Sequence, residues 1–381
     1  MKTSFFYTPD YGLYDYGPGH PFKIKRLRLC YELLEAYGIF NNPDVWPDVR
    51  IVEPSPAEKK DLLSFHSEEY IKALERVNVT PDDPSAHPYG IGFGDNPAFR
   101  GVYDWSLLYT GASVQAARMV CAGDTGAAFN IAGGLHHAMP QRASGFCYIN
   151  DPAVAIFSLL KQGKRVAYID IDAHHGDGVQ HAFYHTDKVL TISLHESGEF
   201  LFLGTGFVEE TGEGEGRGYS VNLPFYPGTG DNVFVWGFDQ VVPPLINAYK
   251  PDILVTQLGV DTMAADPLAH LMLTTEGFCR MVEKMRSFGI PWIALGGGGY
   301  NIANVARAWT LAFGILCGIE IPDNIPDVSC GMLRKYGFEG TTLRDHGSEA
   351  SGQRGEDVTT RKWAEEKVRY IHERIFPFHD L

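Results

Sequence analysis

The chain has 381 residues, 44% of them apolar, enough for one large core or two domains. Its 32 Lys and Arg against 47 Asp and Glu leave a formal charge of −15. That balance argues against a nucleic-acid partner, because phosphate backbones demand a basic face, and it permits a cationic substrate.

The start, MKTSFFYTPDYG, meets Pro9 and Asp10 before a signal-peptide core can form. Residues 4–8 (SFFYT) read as a buried strand, and 24–37 as a helix opened by the basic run KIKRLR at 23–28. The Pro/Gly/aromatic-rich stretch 80–100 has no period and reads as a long ordered loop. A helix is expected over 104–121, a strand over 127–132 (AAFNIA), a helix over 151–162, and strands over 166–171 (VAYIDI) and 189–194 (VLTISL). GEGEGRG at 212–218 lacks the Lys-Ser/Thr ending of a phosphate loop and reads as a surface turn. A strand over 219–223 (YSVNL), a helix over 231–248, a strand over 253–258 (ILVTQL), a helix over 275–288, a strand over 292–297 (WIALGG) and a helix over 302–317 follow. Beyond residue 337 the chain turns polar and ends in an amphipathic helix near 361–375. Strand–helix alternation of this kind predicts an α/β fold, a single domain over 1–381 with an open, mostly parallel sheet flanked by helices. The most apolar helical stretch, 308–319, is too short to span a bilayer, so no membrane association is expected. Six cysteines without a C-x-x-C pair read as free thiols of a reducing, cytoplasmic setting.

Parallel sheets place their chemistry at the carboxyl ends of strands, and four clusters fall there. The first strand of the four ends in GGLHHA (His136, His137), the second in YIDIDAHHGDGVQ, the third in GVD (Asp261) and the fourth in GGGGY (Tyr300). Asp172 and His174, two apart, project to one side of an extended chain, and Asp261 supplies a third ligand. Two carboxylates and an imidazole neutralise a divalent ion and leave an open position, which marks a catalytic metal; Zn²⁺ suits this set, and Fe²⁺ does too. His136 and His137 read as neighbours of the metal or as an acid/base pair, and Asp170 and Asp177 are the two spare carboxylates able to fix their tautomers. Tyr300, after four glycines, can donate to a developing oxyanion. His175 is left to packing, and His66, His87, His195 and His270 show no partner.

Taken jointly, GGLHHA, GFCYINDPA, YIDIDAHHGDGVQ, QLGVD and LGGGGYNIANVARAW resemble the histone deacetylase superfamily, in particular its class I-like branch that includes bacterial acetoin-utilisation proteins. The resemblance runs from about Tyr11 to about Trp309 and implies an arginase/deacetylase-like fold with zinc-dependent hydrolysis of acetyl-lysine amides. It implies metal held by Asp172, His174 and Asp261, and His136 and His137 oriented by Asp170 and Asp177 respectively, with Tyr300 clamping the carbonyl. It further implies Gly145, Phe146 and Phe202 along the acyl-lysine channel, Asp95 gripping substrate at the rim and Arg26 at an acetate cavity. A structural K⁺ or Na⁺ on Asp170, Asp172, His174, Ser193 and Leu194 is implied as well.

Three rivals are weighed. A dinuclear ureohydrolase needs bridging carboxylates, but Gly176, Gly259 and Met263 stand where they would be. The same chemistry on acetylpolyamines or other acetylated small amines suits the acidic charge, whereas Asp95 favours an acylated lysine in a protein or peptide. A catalytically dead acyl-lysine-binding module would have lost a ligand, a histidine or Tyr300, and all are present.

Overall fold

The eight strands of the protein form one sheet in the order β2-β1-β3-β8-β7-β4-β5-β6, every neighbouring pair parallel. In this computed structural model, which describes residues 2–346 and 358–381, they are β1 (Thr3–Phe6), β2 (Val49–Val52), β3 (Ala127–Asn130), β4 (Val166–Asp170), β5 (Val189–Glu196), β6 (Ser220–Phe225), β7 (Ile253–Gln257) and β8 (Trp292–Leu295). Central strands are apolar on both sides because both faces are covered: along β4, Ala167 and Ile169 enter one core cluster while Val166 and Tyr168 enter the other.

Eleven α-helices flank the sheet among the described residues: α1 (Lys25–Ala36), α2 (Lys59–Leu62), α3 (Glu68–Val79), α4 (Val102–Ala122), α5 (Asp151–Leu160), α6 (Asp177–Phe183), α7 (Asp231–Tyr249), α8 (Thr275–Ser287), α9 (Ile302–Cys317), α10 (Asp327–Arg334) and α11 (Val358–Arg374). The expected strands and long helices are present within a few residues of their anticipated bounds. The sequence reading missed β2, an edge strand (VRIV) whose partly exposed side chains lack a two-sided apolar run. It also missed α3, which Ser67 caps by accepting the Tyr70 N–H, inside a stretch dense in mixed charge. Residues 214–216 form one turn of 3-10 helix, as the surface-turn reading requires. Strand order does one thing for function: β3, β8, β7 and β4, whose ends carry the four chemical clusters, are consecutive neighbours.

His66 now has partners that the sequence could not show. Its Nδ1 donates to the Met139 carbonyl (3.0 Å) and its Nε2 accepts the Asn150 N–H (3.0 Å), while Asn150 caps α5. Burial pushes its pKa down from 6.5 to about 3. The folded chain therefore refuses a proton that the unfolded chain accepts below pH 6.5, so this stability is intact above that pH and is lost as pH falls towards 3. At pH 5 the deficit is about 2 kcal/mol. Urea unfolding at pH 7 and pH 5 should show a stability loss smaller by about that amount in His66→Gln than in the parent; equal losses would remove His66 from the account.

Candidate active site

Asp172 and His174 leave the end of β4, and Asp261 leaves the end of β7, its hydrogen-bonded neighbour. All three are buried, and their donor atoms lie within 4.8 Å of one another. His174 Nδ1 stands 3.1 Å from Asp172 Oδ1 and 3.0 Å from Asp261 Oδ2. The remaining carboxylate oxygens are aimed by amides: Asp172 Oδ2 accepts Gln257 Nε2 (2.5 Å) and the Gly298 N–H (2.7 Å), and Asp261 Oδ1 accepts the Ala173 N–H (2.8 Å). Gly298 has no room for a side chain, since a Cβ would stand 2.1 Å from Asp261 Oδ2. Burial, with the Asp172 charge beside it, pushes Asp261 up to about 7. Burial alone would lower His174, but Asp172 and Asp261 outweigh it and raise its pKa well above the usual value. Two buried carboxylates around one imidazole are costly without a cation, and their hard-oxygen-plus-nitrogen chemistry fits a divalent metal, whose binding would displace the proton on His174.

The two adjacent histidines after β3 are each tied to a carboxylate. His136 Nδ1 donates to Asp170 Oδ2 (2.8 Å) and His137 Nδ1 to Asp177 Oδ1 (2.7 Å), so both Nδ1 atoms carry hydrogen and both Nε2 atoms face the site. The two Nε2 atoms are 3.1 Å apart. Burial lowers both pKa values, but Asp170 and Asp172 more than reverse this for His136, which is raised to about 9, whereas His137 stays low beside it. Tyr168 donates to the same Asp170 oxygen at 2.7 Å. A Cβ at Gly176 would sit 2.5 Å from that oxygen, so the aspartate of a dinuclear enzyme there would also disturb the partner of His136.

Tyr300 follows β8 across the site, its ring edge-on to Phe146 (centroids 5.6 Å apart) and to His174 (6.5 Å). Although the residue is only partly buried, its surroundings desolvate the phenol and, with Asp261 and Asp172 adding, raise its pKa well above the usual value, so it stays a donor. Its backbone N–H rests on Asp266 Oδ2 (2.7 Å), a carboxylate the sequence reading passed over. Arg26, fully buried in α1, donates to the carbonyls of Gly299 (2.8 Å) and Gly297 (2.6 Å) and lies 4.3 Å from the Phe22 ring, directly under the chain that delivers Tyr300. Gly145 has φ +50°, and a side chain on it would meet His137 Cδ2 at 2.4 Å. Phe202 stands edge-on to His137, ring centroids 6.0 Å apart. Asp95 lies exposed at the rim of a cleft of about 550 Å³ shared with His20, Phe146 and Leu268, and its carbonyl pairs with His20 Nε2 (3.1 Å). Ser193 and Leu194 lie on β5, with Ser193 in register opposite Asp170. His175 is buried between Thr205 Oγ1 (2.9 Å) and Gln180 Oε1 (3.1 Å), away from the ligand set. His195 bridges Ser193 Oγ and the Gly206 carbonyl, His270 pairs with Glu196 (2.8 Å), and His87 packs edge-on against Phe93. All six cysteines are unpaired, and no helix among the described residues is long and apolar enough to cross a membrane.

This geometry has close counterparts. The histone deacetylase domain family matches residues 20–316. Histone deacetylase clr6 of Schizosaccharomyces pombe is 41% identical over 330 residues, covering 85% of this chain and 79% of that protein. Human histone deacetylase 1 is 40% identical over 330 residues, covering 85% of this chain and 66% of its own length. A crystal structure of an HDAC homologue complexed with SAHA superimposes with a TM-score of 0.88 at 36% identity, covering 97% of this chain and 100% of that one. An HDAC homologue from Aquifex aeolicus gives 0.86 at 35% identity with the same coverage. A family match over most of the chain, set on the same fold, shows that this protein belongs to the histone deacetylase family of hydrolases.

Proposed function

We propose that residues 1–381 form one catalytic domain that hydrolyses acetyl, or another short acyl, amides on lysine side chains of proteins or peptides, with Zn²⁺ held by Asp172, His174 and Asp261. The carrying observation is that His137, whose Nδ1 is held by Asp177, lines one small cavity together with Asp172 and Tyr300. A divalent ion bound there supplies Lewis acidity towards the acyl carbonyl and acidifies water. His137 accepts the proton of the attacking water and returns one to the departing lysine amine. His136, oriented by Asp170, stands beside His137 and lowers the basicity of its imidazole. Tyr300 donates its hydroxyl hydrogen to that oxyanion. Phe146, Phe202 and Gly145 line the acyl-lysine stem, Asp95 accepts hydrogen bonds from the substrate's backbone amides, and Arg26 faces the acetate side. A structural K⁺ or Na⁺ is assigned to the carbonyls of Asp170, Asp172 and His174 with Ser193 and Leu194, supported by the register of β4 against β5. Six free thiols support a cytoplasmic setting.

The chain's formal charge of −15 also suits the cation of an acetylpolyamine, so the test compares both substrate classes. Purified protein should cleave a fluorogenic acetyl-lysine peptide with one divalent ion per chain, lose turnover on exhaustive chelation and regain it with Zn²⁺ or Fe²⁺. Turnover that persists in metal-free protein would overturn the metal assignment. Faster cleavage of acetylpolyamines than of any acylated peptide would move the substrate to small amines.

A further inference from the structure

The loop after β5, residues 197–206, carries two exposed aromatic side chains that face different partners. Phe202 stands over His137 with ring planes at 88°. Phe200 turns outward onto Tyr226 (centroids 5.1 Å apart) and Trp363 of α11 (6.1 Å). Trp363 in turn packs on Tyr226 (5.5 Å) and donates its indole N–H to the Pro224 carbonyl (2.9 Å) near the end of β6.

The two ends of this loop are pinned independently. Ser197 N–H donates to the Phe225 carbonyl (2.8 Å), Thr205 Oγ1 pairs with His175 Nδ1 (2.9 Å), and Gly206 N–H donates to Glu210 Oε1 (3.0 Å). Between them Leu203 adopts φ +87° and Gly204 φ +67°, a tight left-handed turn that a β-carbon-bearing residue keeps only when its surroundings enforce it. With the ends fixed and the turn closed, a shift of Phe200 is passed to Phe202 two residues on. The helix that supplies Trp363, α11, lies outside the residues 20–316 that match the family.

We propose that Trp363 is a positioning residue for the entrance: through Phe200 it fixes where Phe202 stands over His137, and so sets which acyl length the site accepts. This rests on the lysine-deacylase reading. Removing the indole leaves Phe200 with Tyr226 alone, gives Phe202 room to withdraw and favours longer acyl chains over acetyl.

The test uses the full chain with Trp363→Ala, Phe200→Ala and the double variant, each assayed on one peptide bearing acetyl- or butyryl-lysine. Each single change should raise the butyryl-to-acetyl ratio of kcat/KM by at least about threefold, mainly through KM, and the double should go no further than the larger single. Bound metal should be unchanged, and amide hydrogen exchange across 197–206 should quicken in Trp363→Ala. An unchanged ratio in folded Trp363→Ala, or single effects that simply add, would overturn the proposal. Should Trp363→Ala fail to fold, the exposed Phe200→Ala carries the test from the loop side, and an unchanged ratio there overturns it equally. Parent protein inert towards every acylated peptide would sink the deacylase reading, while unaltered exchange in 197–206 would separately sink the brace.

Discussion

Asp261→Asn should leave the chain folded, strip it of its divalent metal and lower acetyl-lysine turnover by about 10²–10³ or more, the rate equivalent of the several kcal/mol a metal contributes to charge stabilisation. The amide keeps the size of the carboxylate and an oxygen for the Ala173 N–H, so the local backbone has no reason to move. What it removes is one of the two negative charges that make the buried triad attractive to a divalent cation. Metal analysis and turnover are the two readouts, and they must fall together. A variant that keeps full metal and full activity would show that Asp261 is not a ligand.

Tyr300→Phe separates the other half of the chemistry. It should keep the metal and the fold and lower kcat by at least about tenfold, and by up to about 10²–10³ if its hydroxyl serves as a full oxyanion donor. The ring contacts with Phe146 and His174 survive in phenylalanine, as does the backbone bond to Asp266, so only the hydroxyl is lost. KM should change little, because the donor matters most where negative charge develops. Unchanged turnover would sink the role given to Tyr300.

Much of this site was legible because strand-end chemistry is local in sequence. YIDIDAHHGDGVQ shows its ligand spacing by itself, and the count of two spare aspartates for two histidines matches the pairs His136–Asp170 and His137–Asp177 that the structure brings together. The side chains that act through others were harder to see. Gln257 aims Asp172 from the last position of an apolar strand, where an isolated polar residue was the available signal. Tyr168 reads as an ordinary strand residue, yet it donates to Asp170. Asp266 holds the Tyr300 backbone from an irregular loop with no motif. His66 and His195 bond to carbonyls, which belong to every residue and so leave no trace in sequence. The edge strand β2 escaped because half-exposed edges lose the apolar pattern that marks central strands. Phe202 depended on how its loop turns, and no spacing rule gives that turn.

The adjacency of β3, β8, β7 and β4 also governs when in folding the site comes into being. Gly298 reaches Asp172 across 126 positions and Ala173 reaches Asp261 across 88, so the ligand cage closes only after the slow, non-local strand pairings are complete. A divalent ion held by that triad would select the finished fold, and at free concentrations about a thousandfold above its Kd it would add about 4 kcal/mol against unfolding. Withdrawal of the ion would leave the apo chain easier for proteases to open, so metal supply would govern the protein's lifetime as well as its turnover.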